Sequence, residues 1–363
     1  MVEHDVENHV KAAGVGLVHQ RAQFVFGQPR AKQFAWSDIR PILSAERLQD
    51  KVFHRASFIT IDDPHAFYRR KKTAIARITS VGDTSKDTLL AYVQAFPDFD
   101  RMHPFYRELC STLVDVRRMR ADLKRLQRCA ELISGVCQKN LRQMKTAARK
   151  DFLEMKRKEV YGRVGSIIQE IAPALSRLEG ARRRLREIPT LDTDVPILVV
   201  AGLPNVGKSA LVARICSAKP MIAPYPFTTQ GIIVGHTQIG GRTVQVVDTP
   251  GILDRPAAER NEIEARALAA VRHLGDLVVF LFDPTPGAVA GMKAQEHLLA
   301  EVRALFKERM ILEVENKVDA VRLKSPRMKI SALTGKGVGE LVEHLTSVLP
   351  ARGGKPKWAA EEE

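Results

Sequence analysis

One eight-residue stretch, Gly202-Leu-Pro-Asn-Val-Gly-Lys208-Ser209, constrains this chain more than any other. It fits G-x-x-x-x-G-K-[ST], a spacing that carries meaning only between a buried strand and a helix. Both flanks comply. Ile197–Ala201 is a wholly apolar run of strand length, and Ser209-Ala-Leu-Val-Ala-Arg-Ile215 reads as a helix. A strand, a tight loop and a helix in that order aim backbone N–H groups and the positive end of the helix at one point, which suits a phosphate. The predicted cradle is Gly202, Leu203, Pro204, Asn205, Val206 and Gly207, continuing into Ala210. Lys208 supplies a charge to β- and γ-oxygens, and Ser209 Oγ is a ligand for Mg²⁺.

The chain beyond residue 190 keeps this grammar. Apolar runs at Ile197–Ala201, Gly231–His236, Thr243–Val247, Leu277–Phe282, Met310–Val314 and Met328–Ile330 alternate with helix-like stretches at 208–217, 259–273, 292–308 and 337–348. The alternation predicts an α/β domain over 191–350, with a mostly parallel sheet of about six strands flanked by helices.

Three further motifs follow in order. Val244-Gln-Val-Val-Asp248-Thr-Pro-Gly251 ends a strand in a carboxylate that can hold Mg²⁺ through water, and brings the Gly251 N–H towards a γ-phosphate. Tyr225-Pro-Phe227-Thr228-Thr229 lies between, where a loop must deliver a hydroxyl to the metal and lie against the nucleotide. Thr229 is assigned to Mg²⁺, with Thr228 as the alternative. Lys208, Thr229 and Gly251 are thus the predicted catalytic set, and Ser209, Thr229 and Asp248 the metal set. Asn316-Lys317-Val-Asp319 selects the base: the Asp319 carboxylate accepts from guanine N1–H and the 2-amino group together, a pair adenine lacks, while Lys317 lies along the base plane. Fifteen residues on, Ser331-Ala332-Leu333 offers a backbone N–H to guanine O6. GTP is therefore predicted over ATP. Gly251 is followed by Ile252, where Ras-type enzymes carry the glutamine that orients attacking water, so intrinsic hydrolysis is predicted to be slow and raised by a partner or a cation.

Charge separates the other half of the chain. Residues 1–190 hold 36 Lys and Arg against 22 Asp and Glu, and residues 101–190 alone hold 22 against 10, whereas residues 191–363 hold 21 against 20. A polyanionic partner for the N-terminal half is the natural reading, and a solvated helix face the plain alternative. That half reads as helical over 41–190. Ser44 can cap a first helix, a second is predicted over Pro64–Thr79, and Leu109, Leu113, Val116, Leu123, Leu126, Leu132 and Val136 mark amphipathic helices between Pro104 and Glu187. Breaks near Gly135, Gly162 to Gly165 and Gly180 are predicted to divide them into an antiparallel bundle. Ile188-Pro-Thr-Leu-Asp-Thr-Asp-Val-Pro196 marks the boundary between domains. Residues 1–40 are read as an extension and 351–363 as a flexible tail.

No apolar run exceeds the six residues Leu277–Phe282, so no membrane span is predicted, and the acidic Glu3, Asp5 and Glu7 are wrong for a signal peptide. Residence in the cytoplasm is expected. Cys110, Cys129, Cys137 and Cys216 lie apart without a C-x-x-C pair and are read as buried thiols.

The phosphate loop, Tyr225-Pro-Phe-Thr-Thr, Asp248-Thr-Pro-Gly-Ile-Leu-Asp-Arg-Pro256 and Asn316-Lys-Val-Asp resemble the Obg-related G proteins, and within them the nucleolar GTP-binding family. Phe53-His-Arg-Ala-Ser57, Ser80-Val-Gly-Asp-Thr84, Phe96-Pro-Asp-Phe-Asp100 and His103-Pro-Phe-Tyr-Arg-Glu-Leu109 look like that family's helical-domain signatures, although on the residues alone His103 and its aromatic neighbours are packing groups. The resemblance spans about 40–348 and implies a factor for assembly of the large ribosomal subunit, with the helices against ribosomal RNA. Eukaryotic members carry a long C-terminal extension, so this chain looks like an archaeal-type member. Asn205 occupies the position where related G proteins can help bind K⁺, which makes K⁺ an expected second cation. Two rival readings are a protein-interaction switch that touches no nucleic acid, with or without an activating protein partner, and a partner of an RNA-modification enzyme. Arg69-Arg-Lys-Lys72 and Arg182-Arg-Arg184 are the first basic runs to suspect of RNA contact.

Overall fold

The computed structural model describes residues 36–226, 231–249, 270–307, 309–322 and 324–349, together with 253, 265 and 268. The extension over 1–35 and the tail from 350 lie outside the described residues.

Six helices come first: α1 Ala45–Ser57, α2 Ala66–Ala95, α3 Pro104–Leu113, α4 Val116–Lys145, α5 Lys150–Glu170 and α6 Ala172–Leu185. Ser44 caps α1 as predicted, its Oγ accepting from the Arg47 N–H at 3.3 Å. Helix α2 does not stop at Thr79. Val81, Ser85, Thr88 and Leu89 prolong its buried face, and Gly82 admits close approach to α4, where an added Cβ would lie 3.1 Å from Cys137 Sγ. Gly135, Gly162, Gly165 and Gly180 do not break helices either; they lie within α4, α5 and α6, and a Cβ built at any of them meets nothing within 4 Å. An interior glycine costs only about 1 kcal/mol against alanine. The buried stripe Leu126, Ala130, Ile133, Cys137 and Met144 outweighs that, since each large apolar side chain contributes roughly 1.5–3 kcal/mol on burial. The interruptions fall elsewhere: Asp115 accepts from the Arg118 N–H at 3.0 Å to open α4, and Pro173 sits in the first turn of α6, which has no side-chain cap.

Buried ions tie this bundle together. Asp122 of α4 accepts a bidentate pair from Arg177 of α6 at 2.8 and 2.6 Å. Glu179 accepts from Arg182 at 2.8 and 2.9 Å, from Arg183 at 2.9 Å, and from the Ile42 N–H at 3.0 Å, which fastens the segment before α1 onto α6. Arg184 donates to the Leu113 carbonyl at 3.4 Å. Arg182 is thus buried and committed to the fold, whereas Arg183 and Arg184 bond into the bundle and stay exposed. The Arg182 guanidinium beside Glu179 is the main cause that holds this carboxyl down at about 2. Glu179→Ala would leave Arg182, 6% exposed, without its carboxylate. The expected loss is about 2–3 kcal/mol, read as a lower urea midpoint at pH 7. Because the folded carboxyl lies below its ordinary 4.5, its contribution is complete above pH 4.5 and fades as pH falls towards about 2. The wild-type advantage should shrink over that window.

The strands are β1 Ile197–Ala201, β2 Met221–Ala223, β3 Ile232–Ile239, β4 Arg242–Asp248, β5 Leu277–Phe282, β6 Met310–Glu315 and β7 Met328–Lys329, ordered β2-β3-β4-β1-β5-β6-β7. There are seven strands, not six: the short edge strand β2, directly after Pro220, carries too few residues to show a period. Strands β2 and β4 flank β3 antiparallel, and the remaining pairs are parallel. Among the described residues the domain also holds helices α7 Lys208–Ile215, α8 Met292–Leu305 and α9 Val338–Val348, while most of the predicted helix over 259–273 lies outside them. Val200 pairs with Asp248, Ala201 with Phe280, and Phe282 with Glu315, so the residues that follow β1, β4, β5 and β6 open on one edge of the sheet. This is where parallel α/β sheets hold ligands.

The Tyr106 hydroxyl accepts from the Leu191 N–H at 2.7 Å and lies 2.9 Å from the Leu191 carbonyl, pinning the linking segment to α3. Cys110, Cys129 and Cys137 are buried thiols as expected, while Cys216 is only half-buried. No helix among the described residues is long and apolar enough to cross a membrane.

Candidate functional site

The phosphate loop leaves β1 through Gly202, at φ 141°, where a Cβ would come within 2.6 Å of the Leu281 carbonyl oxygen. It enters α7 through Gly207, at φ 99°, where a Cβ would strike Asn316 Nδ2 at 2.2 Å. Both positions exclude any side chain. Between them, Asn205 takes the left-handed conformation (φ 62°) that asparagine tolerates. The loop closes on its own cation: Lys208, buried, donates from Nζ to the carbonyls of Gly202 at 2.9 Å and Leu203 at 3.0 Å. Leu203 and Val206 are buried, whereas Pro204, Asn205, Ser209 and Ala210 are exposed.

Ser209 Oγ donates to Oδ2 of the fully buried Asp248 at 2.7 Å. A hydroxyl and a carboxylate facing each other beside a phosphate cradle fit the hard-oxygen donor set of Mg²⁺, whose remaining positions go to phosphate and water. Phe227, Thr228, Thr229, Gly251 and Ile252 lie outside the described residues.

The base corner is built around Asn316, which is 2% exposed. Its Nδ2 donates to the Val206 carbonyl at 2.8 Å, and its Oδ1 accepts from the Ala332 N–H at 2.8 Å, so one side chain locks the phosphate loop to the Ser331-Ala332-Leu333 turn. The Ser331 N–H is also taken, donating to the Lys336 carbonyl at 2.9 Å. Among the described residues the Leu333 N–H is the one of these three with no acceptor within the protein. Lys317 holds a left-handed conformation (φ 61°), a strain that such sites keep when the surroundings impose it. Here the anchor is an ion pair from Nζ to Asp283 Oδ2 at 2.5 Å. Asp319 is exposed, and no hydrogen bond or ion pair reaches its carboxylate among the described residues.

Sequence reasoning missed three residues that shape this corner. Asp283 follows β5 and is itself fixed by buried Gln295, whose Oε1 accepts from the Asp283 N–H at 2.8 Å and whose Nε2 donates to the Asp283 carbonyl at 2.8 Å. Arg214 of α7 donates to the carbonyls of Ala332 and Leu333, presenting the turn. The carboxyl-end position of Asp283 was a signal; Gln295 and Arg214 act across the fold and gave none.

Helix α3 touches the G domain at two points. Phe105 stacks on buried Tyr225 at 6.5 Å between centroids, two residues before Phe227. Glu108 pairs with His273 at 2.9 Å and Arg272 at 3.3 Å, in the segment that leads into β5. Burial pushes the His273 imidazole below its ordinary value, with Glu108 pulling the other way.

Two family models match in succession: the NOG1 N-terminal helical domain over residues 38–192 and the 50S ribosome-binding GTPase over 197–317. An uncharacterised protein of Methanocaldococcus jannaschii is 34% identical over 245 residues, which covers 68% of each chain. The chain belongs to the nucleolar GTP-binding protein 1 family. Members named nucleolar GTP-binding protein 1 include one from Saccharomyces cerevisiae, 29% identical over 299 residues, and one from Drosophila melanogaster, 32% identical over 291. Each alignment covers 80% of this chain but only 45% and 43% of those proteins, so the chain spans under half the length of these nucleolar relatives. Family membership agrees with a helical domain followed by a P-loop GTPase domain, the architecture that the structure displays.

Proposed function

We propose that this protein is a Mg²⁺-dependent GTP switch, slow in hydrolysis, that acts in assembly of the large ribosomal subunit through RNA bound to its basic helices. The observation that carries this reading is Asn316, which joins the phosphate loop to a guanine-type corner with Asp319 open to ligand. Ser209 and Asp248 are the described residues that would hold Mg²⁺, which when bound would supply positive charge to the β- and γ-phosphates. Lys208 adds its ammonium there, and the Leu333 N–H meets guanine O6. The contact of Phe105 supports coupling: a helix of the basic bundle packs on Tyr225, beside the first predicted switch. The names of the relatives and of the matched models support the ribosomal setting.

Sedimentation of the tagged chain with large-subunit precursors, in a non-hydrolysable GTP analogue against GDP, tests the reading. Co-sedimentation should depend on nucleotide and weaken with salt, log-affinity falling by roughly 0.7 to 0.9 per neutralised phosphate against log[salt]. Absence from the precursors in both nucleotide states, or a response indifferent to salt, favours a switch that touches protein alone.

Without a glutamine after Gly251, turnover is expected on the order of 10⁻⁴–10⁻² s⁻¹. Asn205, exposed and left-handed, supports K⁺ as the stimulating cation. GTP turnover in KCl should exceed that in NaCl at equal ionic strength by several-fold; equal rates remove K⁺ from the scheme.

A further inference from the structure

The most concentrated unassigned feature is a cleft of about 390 Å³ between α2 and α5, within the roughly 300–1,000 Å³ of small-molecule sites. Arg69, Arg70, Arg77, Lys150 and Arg157 line it against one carboxylate, Glu154. The floor is apolar, from Ala74 and buried Leu153. These cations are not equivalent. Arg77 is fixed, donating to the Ile59 and Ser57 carbonyls at 2.9 Å each, and Arg69 donates to the Asp63 carbonyl at 2.9 Å. Arg157 is neutralised by a bidentate pair with Glu154 and lies over Tyr161, 5.3 Å from the centroid. Arg70 and Lys150 are exposed, and neither has a hydrogen-bond or ion-pair partner among the described residues. Lys71 donates to the Ala147 carbonyl at 2.9 Å, which holds the connection between α4 and α5 against α2 and brings Arg149 and Lys150 to this end of the bundle.

We propose that this cleft receives an unpaired nucleotide of single-stranded RNA, its phosphate on Arg70 and Lys150 and its sugar and base against Ala74 and Leu153. The inference rests on the reading that the helical half binds RNA and specifies where and in what form. A duplex presents its phosphates on a convex surface and keeps its bases stacked, so it cannot enter a recess walled by two helices; an unpaired nucleotide can be splayed into one. A bare phosphate would need the cations but not the apolar floor. An acidic peptide could use the same cations, but Arg142 and Lys145 are exposed on the last turn of α4 and Arg149 on the connection to α5, a spread of charge suited to a backbone with a phosphate at every step. Glu154 acts as a brake in this scheme, holding Arg157 away from the phosphate.

The test is fluorescence anisotropy of the full chain with a labelled oligouridine, a labelled RNA duplex and a labelled oligoglutamate. Arg70→Glu with Lys150→Glu should weaken oligouridine binding at least tenfold and reduce the salt slope by about 0.7, the value for the one phosphate of a single strand that these two cations share. Lys124→Glu with Arg128→Glu removes the same charge from exposed sites roughly 25–30 Å along α4 and should cost under threefold. Glu154→Gln, which releases Arg157, should tighten binding two- to fivefold, a gain that misfolding cannot produce. Equal losses in both charge-reversed pairs, tighter binding to the duplex, or tighter binding to oligoglutamate with the same residue dependence would each overturn the proposal while leaving RNA binding by the wild type in place. A wild type that binds none of the RNAs removes the broader reading as well.

Discussion

Lys208→Ala should leave a folded protein that fails to bind GTP or GDP at concentrations saturating the wild type. The ammonium already organises the loop, since its hydrogen bonds to the Gly202 and Leu203 carbonyls draw the two ends of the cradle together. When phosphate enters, the same group supplies the one mobile full charge in a site otherwise made of backbone N–H groups. Its removal deletes two or more charge-assisted hydrogen bonds at about 1.5–3 kcal/mol each, so the expected loss is about 3–5 kcal/mol, roughly 10²- to 10⁴-fold in Kd. Calorimetric titration with GDP measures this directly, and the thermal midpoint of the free protein checks the fold. Binding within tenfold of wild type would show that backbone donors alone hold the phosphates. RNA affinity should match that of the nucleotide-free wild type, because Lys208 is buried in the phosphate loop and belongs to none of the basic helices.

Several features were legible because a single local signal carried them. Ile197–Ala201 and Leu277–Phe282 are strands with the bounds read from their apolar runs, since strands buried on both faces need no alternation. The phosphate loop was legible because no residue but glycine fits at 202 and 207. Helix ends were misread where glycine was given the weight of a break. At Gly82 the glycine is a packing device, and at Gly135 or Gly162 it is merely exposed, and a local pattern cannot separate these cases from a turn. The base corner shows the other limit. Asn316 and Asp319 were placed by motif, but the engagement of the Ala332 N–H with Asn316 Oδ1, which passes the guanine contact to Leu333, joins residues 16 apart. Likewise, Arg182–Arg184 reads as one uniform run of charge, and only the position of Glu179 shows that Arg182 is a buried ion-pair partner while Arg183 and Arg184 remain exposed.

The same separation between what the fold needs and what the ligand needs makes Asp319 the sharpest probe of specificity. Its backbone is held by neighbours: Ala320 N–H donates to the Lys317 carbonyl at 2.9 Å, and Val318 N–H to the Ile330 carbonyl at 3.2 Å. Its carboxylate contributes no contact to the fold among the described residues, so Asp319→Asn should change stability by no more than about 0.5 kcal/mol. The effect on ligand should be large. Guanine presents two donors, N1–H and the 2-amino group, and the carboxylate accepts both; an asparagine amide turns one acceptor into a donor that faces the 2-amino group. Losing one charge-assisted pair and gaining a donor–donor clash should cost about 3–4 kcal/mol, roughly 10²- to 10³-fold for GTP and GDP. Xanthine carries a carbonyl at C2 where guanine carries the amine, so the same asparagine becomes complementary to it. Xanthosine diphosphate should therefore bind Asp319→Asn within about tenfold of the affinity of wild type for GDP, and bind wild type poorly. Competition against a fluorescent guanine nucleotide reads both affinities in one assay. A variant that loses both nucleotides, or one that still prefers guanine, would mean that Asp319 does not read the base edge. A swap of preference would tie base choice to this carboxylate on the Lys317 turn, with the phosphate loop and Mg²⁺ ligands untouched.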